Sequence, residues 1–331
     1  MIRRLRLCVL LALASWFAVS SFFGSFAAEP SQKIARVGFV GTESRSTSLR
    51  GVPQFFARLR ELGWVEGQNI VVEARWADGD YNRLPELMTD VVARNIDVLV
   101  TSTTPAAIAA KKVTSTVPIV VVAMGDPVGM GLVNSLSRPG GNLTGLSLQW
   151  ADLSGKWVEL LQEAIPRLST VAVISNPASP IITKVAKDLQ AIAAQRGVKL
   201  VFQDVREPAA FPDAFRRARQ HAQAALVLAD PLVLAARDQI TALAAANRLP
   251  ALYVSHEFMV SGGLMTYAVD SRIMFRRAAE YVDKILRGAR PGDLPIEQPT
   301  QLSLAVNLKT AKALGITIPE SILLRADEVI R

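Results

Sequence analysis

The sequence predicts an α/β protein of two doubly wound parallel-sheet lobes joined by a multi-strand hinge. Three observations carry this. Short Val- and Ile-rich runs alternate with amphipathic helical stretches, and their starts recur roughly every 22–35 residues in both halves. A glycine- and turn-rich stretch, 125–150, separates the halves. The last strand and helices come after the second alternation has ended, so they need an existing sheet to join.

The elements follow in order. Ile34–Val40 is a β-rich apolar run ending at Gly41. Val52, Phe55, Phe56, Leu59 and Leu62 fall on one helical face, with Gly63 as the stop. Ile70–Ala74 is the next strand and Tyr81–Arg94 the next helix; Val98–Val100 and Ile119–Val122 are buried-type strands joined by a helix over Ala106–Val113. In the second half, Val171–Ile174, Val198–Phe202, Leu226–Leu228 and Ala251–Val254 read as strands. Helices between them run from Ile181 to a stop at Gly197, over Ala209–Gln220, and over Leu232–Asn247. Leu264–Ala268 follows, then a helix capped by Ser271 and ended by Gly288, a Pro-punctuated loop, a strand at Leu302–Val306 and a helix at Leu308–Leu314. The division this suggests is 33–124 plus about 269–290 for the first lobe and 151–268 plus about 300–331 for the second, with 125–150 as hinge and crossover.

The first 28 residues have a separate pattern. Arg3, Arg4 and Arg6 precede an apolar core, Leu7–Val19, and small residues around Ser25-Phe26-Ala27-Ala28 lead into Glu29-Pro30. This is the layout of a cleavable secretory signal, so a periplasmic protein is expected. Cys8, the only cysteine, lies within that segment at the very start of the apolar core, not after it where a lipid-attachment cysteine would stand. A mature chain then has neither disulfide nor thiol nucleophile. The formal charge is +8, falling to +5 once those three arginines are set aside, and no basic run suggests nucleic acid. His221 and His256 are too few and too far apart for a histidine metal centre, and no cofactor is expected. Nucleophile-elbow, HExxH, P-loop and dinucleotide fingerprints are absent from the sequence.

Ligands of open parallel sheets bind beyond the carboxyl ends of the strands. The candidate residues at those tips are Thr42, Glu43, Ser44 and Thr47, then Thr101, Ser102, Thr103 and Thr104, then Asp126. From the second half come Asn176, Ser179, Asp230 and Asp270. Hydroxyls and helix-end N–H groups suit a carboxylate, and Asp suits an ammonium, so a small zwitterion fits the set. Each of these residues also reads singly as an ordinary helix cap; what distinguishes them is their accumulation on one edge. Trp64, Trp76, Trp150 and Trp157 read as packing residues, with Trp150 the best placed to wall a cleft.

Several long motifs carry a family resemblance. Leu62-Gly63-Trp64-Val65-Glu66-Gly67-Gln68-Asn69-Ile70, Gly125-Asp126-Pro127-Val128-Gly129-Met130-Gly131-Leu132-Val133 and Ser135-Leu136-Ser137-Arg138-Pro139-Gly140-Gly141-Asn142 are the most specific. Together with Gly262-Gly263-Leu264-Met265 and Asn307-Leu308-Lys309-Thr310-Ala311, they resemble substrate-binding proteins of ABC transporters from Lys33 to the end of the chain. The resemblance implies a type I periplasmic-binding-protein fold, two lobes that close on a small ligand, and delivery to a membrane permease. Some members are described as tryptophan, tyrosine or aromatic amino-acid binders. By position, it places Thr42–Ser48, Thr101–Thr104 and Asp126 against ligand, with Asn176, Ser179, Asp230 and Asp270 opposite. After the first strand the chain reads Ser46-Thr47-Ser48-Leu49 where aromatic-ligand members carry a His-Pro-Ala-like stretch. Two other classes share the sequence features: an extracytoplasmic ligand sensor for a membrane receptor, and an exported enzyme using His256 and Asp270.

Overall fold

A computed structural model describes residues 34–45, 51–148 and 150–331. The signal-like segment 1–28 and the tip residue Thr47 lie outside the described residues.

The first sheet is built by β1 (Ala35–Gly41), β2 (Ile70–Trp76), β3 (Val98–Thr101), β4 (Ile119–Gly125) and β5 (Leu143–Leu148), in the order β2-β1-β3-β4-β5. All its pairings are parallel. Helices α1 (Val52–Glu61), α2 (Leu84–Val92) and α3 (Thr104–Val113) connect the strands. The period-2 alternation of side chains sends Val37, Phe39, Val98 and Val100 to one face and Val40, Leu99, Ile119 and Val121 to the other. The second face packs on Leu84, Met88 and Val91 of α2 and on the alanines of α3.

The second sheet holds β6 (Thr170–Ser175), β7 (Lys199–Asp204), β8 (Ala224–Val227), β9 (Ala251–Tyr253), β10 (Met265–Val269), β11 (Leu302–Asn307) and β12 (Glu328–Ile330), ordered β12-β11-β10-β9-β8-β6-β7. One face packs on α4 (Trp150–Ala164) and α5 (Pro180–Gln195), and the other on α6 (Phe211–His221) and α8 (Arg237–Ala246), which follows the short α7 (Pro231–Ala235). The short α9 (Glu257–Val260) lies between β9 and β10.

The chain passes between the lobes three times: after β5, after β10, and again before β11. The middle passage delivers α10 (Ser271–Leu286) to the first lobe, where Met274, Phe275, Ala278, Tyr281 and Val282 cover Phe39, Val100 and Val120. The final passage is anchored to β5, because Glu297 N–H donates to Gly145 O at 3.0 Å and Glu297 O accepts from Ser147 N–H at 2.8 Å.

Four local features differ from the sequence reading. The second sheet is mixed, since β11 runs antiparallel to β10. The chain leaves that sheet at its interlobe edge after β10 and re-enters at the same edge, so the returning strand must point the other way. The expected single helix over Leu232–Asn247 is broken at Ala236 into α7 and α8. The helix over 81–94 opens as a 3₁₀ turn, Tyr81–Arg83, before α2 starts at Leu84 with Pro85 in its first turn. The cap of α10 is Asp270 and not Ser271: Asp270 Oδ1 accepts from Arg272 N–H at 2.9 Å.

Two further helices, α11 (Leu308–Leu314) and α12 (Glu320–Leu323), close the chain around β12. Asn307 caps α11 through its side chain, taking the Thr310 N–H at 3.1 Å. Asn307→Ala is expected to lower the unfolding free energy by about 1 kcal/mol, the ordinary value of such a cap. Urea denaturation reads this as a shift of midpoint at constant slope.

Candidate functional site

A cavity of about 150 Å³ lies between the two sheets, at the carboxyl ends of their parallel strands. Its volume is below the roughly 300–1,000 Å³ of sites for drug-sized ligands, which suits a smaller molecule.

The first lobe supplies a cluster of hydroxyls. Thr42 and Ser102, at the tips of β1 and β3, pair with each other at 3.1 Å and are buried. Thr103 stands in a left-handed conformation (φ 74°) just before α3, an arrangement few threonines adopt. Its Oγ1 is buried at the cavity wall and has no hydrogen-bond partner among the described residues. A buried hydroxyl left so carries a desolvation cost that an incoming acceptor or donor removes. Thr104 opens α3 and holds the tip of β4 by accepting the Gly125 N–H at 2.9 Å. The ten-residue helix therefore begins at the cavity, with the positive end of its dipole there. Glu43 lines the same wall.

The second lobe supplies Asp230, 6% exposed. Its Oδ1 caps α7 by accepting the Val233 N–H at 2.9 Å. Its Oδ2 accepts from Asn176 Nδ2 at 2.6 Å and, across the cleft, from Tyr81 OH at 3.1 Å. Burial pushes the Asp230 carboxyl up from its ordinary value, and these donors oppose that push. The Tyr81 hydroxyl is raised in turn, first by burial and then by the charge of Asp230, so it stays a donor. Ser179, at the start of α5, also meets Tyr81 and lines the cavity.

Between these polar ends the walls are apolar. Trp150, Phe275, Met274, Pro105, Ile181 and Leu234 all face the space. Trp150 is held edge-on to the fully buried Trp157, with ring centroids 6.3 Å apart.

Of the tip residues singled out from sequence, Thr42, Glu43, Ser102, Thr103, Thr104, Ser179 and Asp230 line this cavity. The others stand apart from it. Thr101 donates to Val40 O at 2.7 Å inside the sheet, and Asn176 stands behind Asp230 as its donor. Ser44 is half-buried outside the wall. Asp270 caps α10 and binds Arg272 Nε at 2.8 Å. Asp126 faces a neighbouring interlobe space of about 250 Å³, where it pairs with Lys184 of α5 and takes the Gly129 N–H at 2.9 Å. That hydrogen bond to Lys184 is the main reason its carboxyl is held below the usual range.

The sequence reading did not include Tyr81, Phe275 or Met274. Tyr81 follows the tip of β2, so the strand-tip rule that found the other residues reaches it as well. Phe275 and Met274 lie on the buried face of α10 and carry no signal separating cavity wall from core.

His256 is buried away from the cavity. Its Nε2 meets Ala268 O at 3.2 Å and its Nδ1 meets the Thr266 hydroxyl at 2.8 Å. A carbonyl only accepts, so Nε2 carries a proton and donates it there. Among the described residues, no group of His, Cys, Asp and Glu could hold a metal ion, and no helix is long and apolar enough to cross a membrane.

Comparison with known proteins agrees with this geometry. The family model described as ABC transporter substrate binding protein matches residues 33–330. The tyrosine-binding protein of Clostridioides difficile (strain R20291) is 26% identical over 263 residues, 79% of this chain and 75% of that protein. Among solved structures, a conserved domain protein from Vibrio cholerae O1 biovar El Tor is 29% identical with a TM-score of 0.85, covering 90% of this chain and 100% of that one. An ABC domain from Streptococcus pneumoniae in complex with L-Trp shares the fold, with a TM-score of 0.83 at 24% identity over 89% of this chain and 99% of that one. Two α/β lobes around an interlobe cavity, and a family match that runs almost the whole length, lead to one conclusion: the chain belongs to the ABC transporter substrate-binding proteins and has the type I periplasmic-binding-protein fold.

Proposed function

We propose that this protein is the periplasmic solute-binding component of an ABC importer, and that its ligand is an L-amino acid with an aromatic side chain. The observation that carries this reading is the layout of the cavity: a buried carboxylate on one lobe, hydroxyls and a helix start on the other, and aromatic walls between. Asp230 takes the ligand ammonium. Thr103, Ser102 and the start of α3 take its carboxylate, and Trp150 and Phe275 flank the ring. The name of the tyrosine-binding relative supports the same ligand class.

Capture here is binding without chemistry. A ligand that touches both lobes stabilises the closed form by its differential affinity for closed over open, and the closed form is what docks on the permease. The signal-like pattern of residues 1–28 supports export.

Thermal-shift screening against L-tyrosine, L-phenylalanine, L-tryptophan, aliphatic amino acids, sugars and purines tests the assignment, followed by calorimetry. The expected result is a rise in melting temperature with the aromatic amino acids and one-to-one binding. A shift confined to sugars or purines would overturn the ligand class and keep the fold.

A further inference from the structure

Of the donors that hold the Asp230 carboxylate, only one comes from the opposite lobe. Val233 N–H and Asn176 Nδ2 belong to the second lobe with Asp230 itself; Tyr81 OH reaches Oδ2 from the first. The turn that carries Tyr81 is tied to the hydroxyl side of the cavity. Ala77 N–H donates to Gly41 O at 2.9 Å and Gly79 N–H to Thr42 O at 2.8 Å. The loop that presents Thr42 and the turn that presents Tyr81 therefore move as one piece, and that piece touches the carboxylate across the cleft.

A carboxylate offers about four lone-pair sites. Meeting of the lobes adds the Tyr81 hydroxyl to the donors that the second lobe itself supplies, and it adds it on Oδ2, beside Asn176. We propose that Tyr81 is a positioning residue that fixes Asp230 for a primary ammonium only when the cleft is closed, so that ammonium recognition and closure are one event. This rests on reading the cavity as an amino-acid site. It adds a selection rule: an arylpropanoate of the same shape, with hydrogen in place of the ammonium, brings no cation to the buried carboxylate and does not draw on Tyr81. The phenol keeps its proton under all working conditions, because burial and the neighbouring charge both raise it.

The test is a cycle of wild type, Tyr81→Phe, Asp230→Asn and the double variant. The probes are the tightest-binding of L-tyrosine, L-phenylalanine and L-tryptophan, and its 3-arylpropanoate. Binding is read by calorimetry or, for weak complexes, by thermal shift at millimolar ligand. Tyr81→Phe keeps the ring and its packing. It is expected to weaken the amino acid about tenfold, chiefly through faster release, while changing the arylpropanoate response less than twofold. In the Asp230→Asn background it should add little further loss. Equal losses for both probes, or full additivity with Asp230→Asn, would reduce Tyr81 to a packing residue and overturn the proposal. A Tyr81→Phe protein that binds like wild type overturns it alone. A wild type that binds no amino acid removes the ligand reading and this inference together.

Discussion

Asp230→Asn is expected to cost the protein about a hundredfold or more in affinity for an aromatic amino acid, equivalent to about 2.7 kcal/mol. The groups that hydrogen-bond the Asp230 carboxylate are all donors: backbone N–H groups, an amide NH₂ and a phenol. An acceptor-only carboxylate satisfies all of them and still presents charge to a ligand ammonium. Asparagine retains the helix cap, but its own NH₂ must confront Asn176 or Tyr81, and it offers no charge. A hydrogen-bonded charge pair removed from one side typically costs 2–5 kcal/mol or more. Calorimetry measures the loss, and melting of the unliganded variant separates it from misfolding. A dissociation constant within threefold of wild type would take Asp230 out of the site.

The same carboxyl sets the pH dependence. Burial raises it above the usual value of about 3.9, and ammonium binding needs its ionised form. Affinity should therefore fall as pH drops through the raised value, with onset above the ordinary carboxylate range. Asp230→Asn should lack that limb. For folding the sign is opposite. A carboxyl that holds its proton more tightly in the native state contributes less stability as pH rises from its ordinary value through its raised one. An ammonium ligand offsets that loss.

Gly145→Ala is expected to destabilise the fold by about 3 kcal/mol or more. Gly145 lies in β5 at φ 133°, beside the register shift in β4 between Val121 and Met124. A β-carbon there would stand 2.1 Å from Val121 O and 2.7 Å from Val121 N. Those are backbone atoms of the neighbouring strand and cannot swing aside. On the other edge, Gly145 O already takes the Glu297 N–H, so β5 has no free direction in which to move. Overpacking of about 1–3 kcal/mol and a strained backbone of about 1–3 kcal/mol combine. Urea unfolding checks this, and a loss under 1 kcal/mol would mean that β4 and β5 can re-register at small cost.

Much of the architecture was legible in the residues. Val and Ile runs such as Val98–Val100 and Ile119–Val122 declare strands buried on both faces, and the facing helices declare themselves by their 3.6-residue spacing. The antiparallel β11 was not legible, because strand direction depends on which edge the chain returns from and not on local composition. Helix α4 was missed as well. Leu153, Trp157, Leu160, Leu161 and Ala164 have helical spacing, but the stretch begins directly at the end of a turn-rich segment with no Ser, Thr, Asp or Asn cap to mark it. The site was half legible. Strand-tip hydroxyls, Asp230 and Trp150 could be placed from sequence alone. The Tyr81–Asp230 contact joins residues 149 apart, and only the packing of two lobes creates it.

The late arrival of α10 has a consequence for how the protein is made. Phe39, Val100 and Val120 emerge early in synthesis, yet the helix that covers them is encoded after most of the second sheet. Until Met274–Ile285 has been translated, the first sheet carries an open apolar face, which is the kind of surface that sticks to other chains. A nascent chain exported before it can collapse avoids that exposure. A truncated first half expressed alone keeps it permanently. The two sheets thus make one biogenetic unit: neither can be cut away as a stand-alone module, and damage to the second should be felt as insolubility in the first.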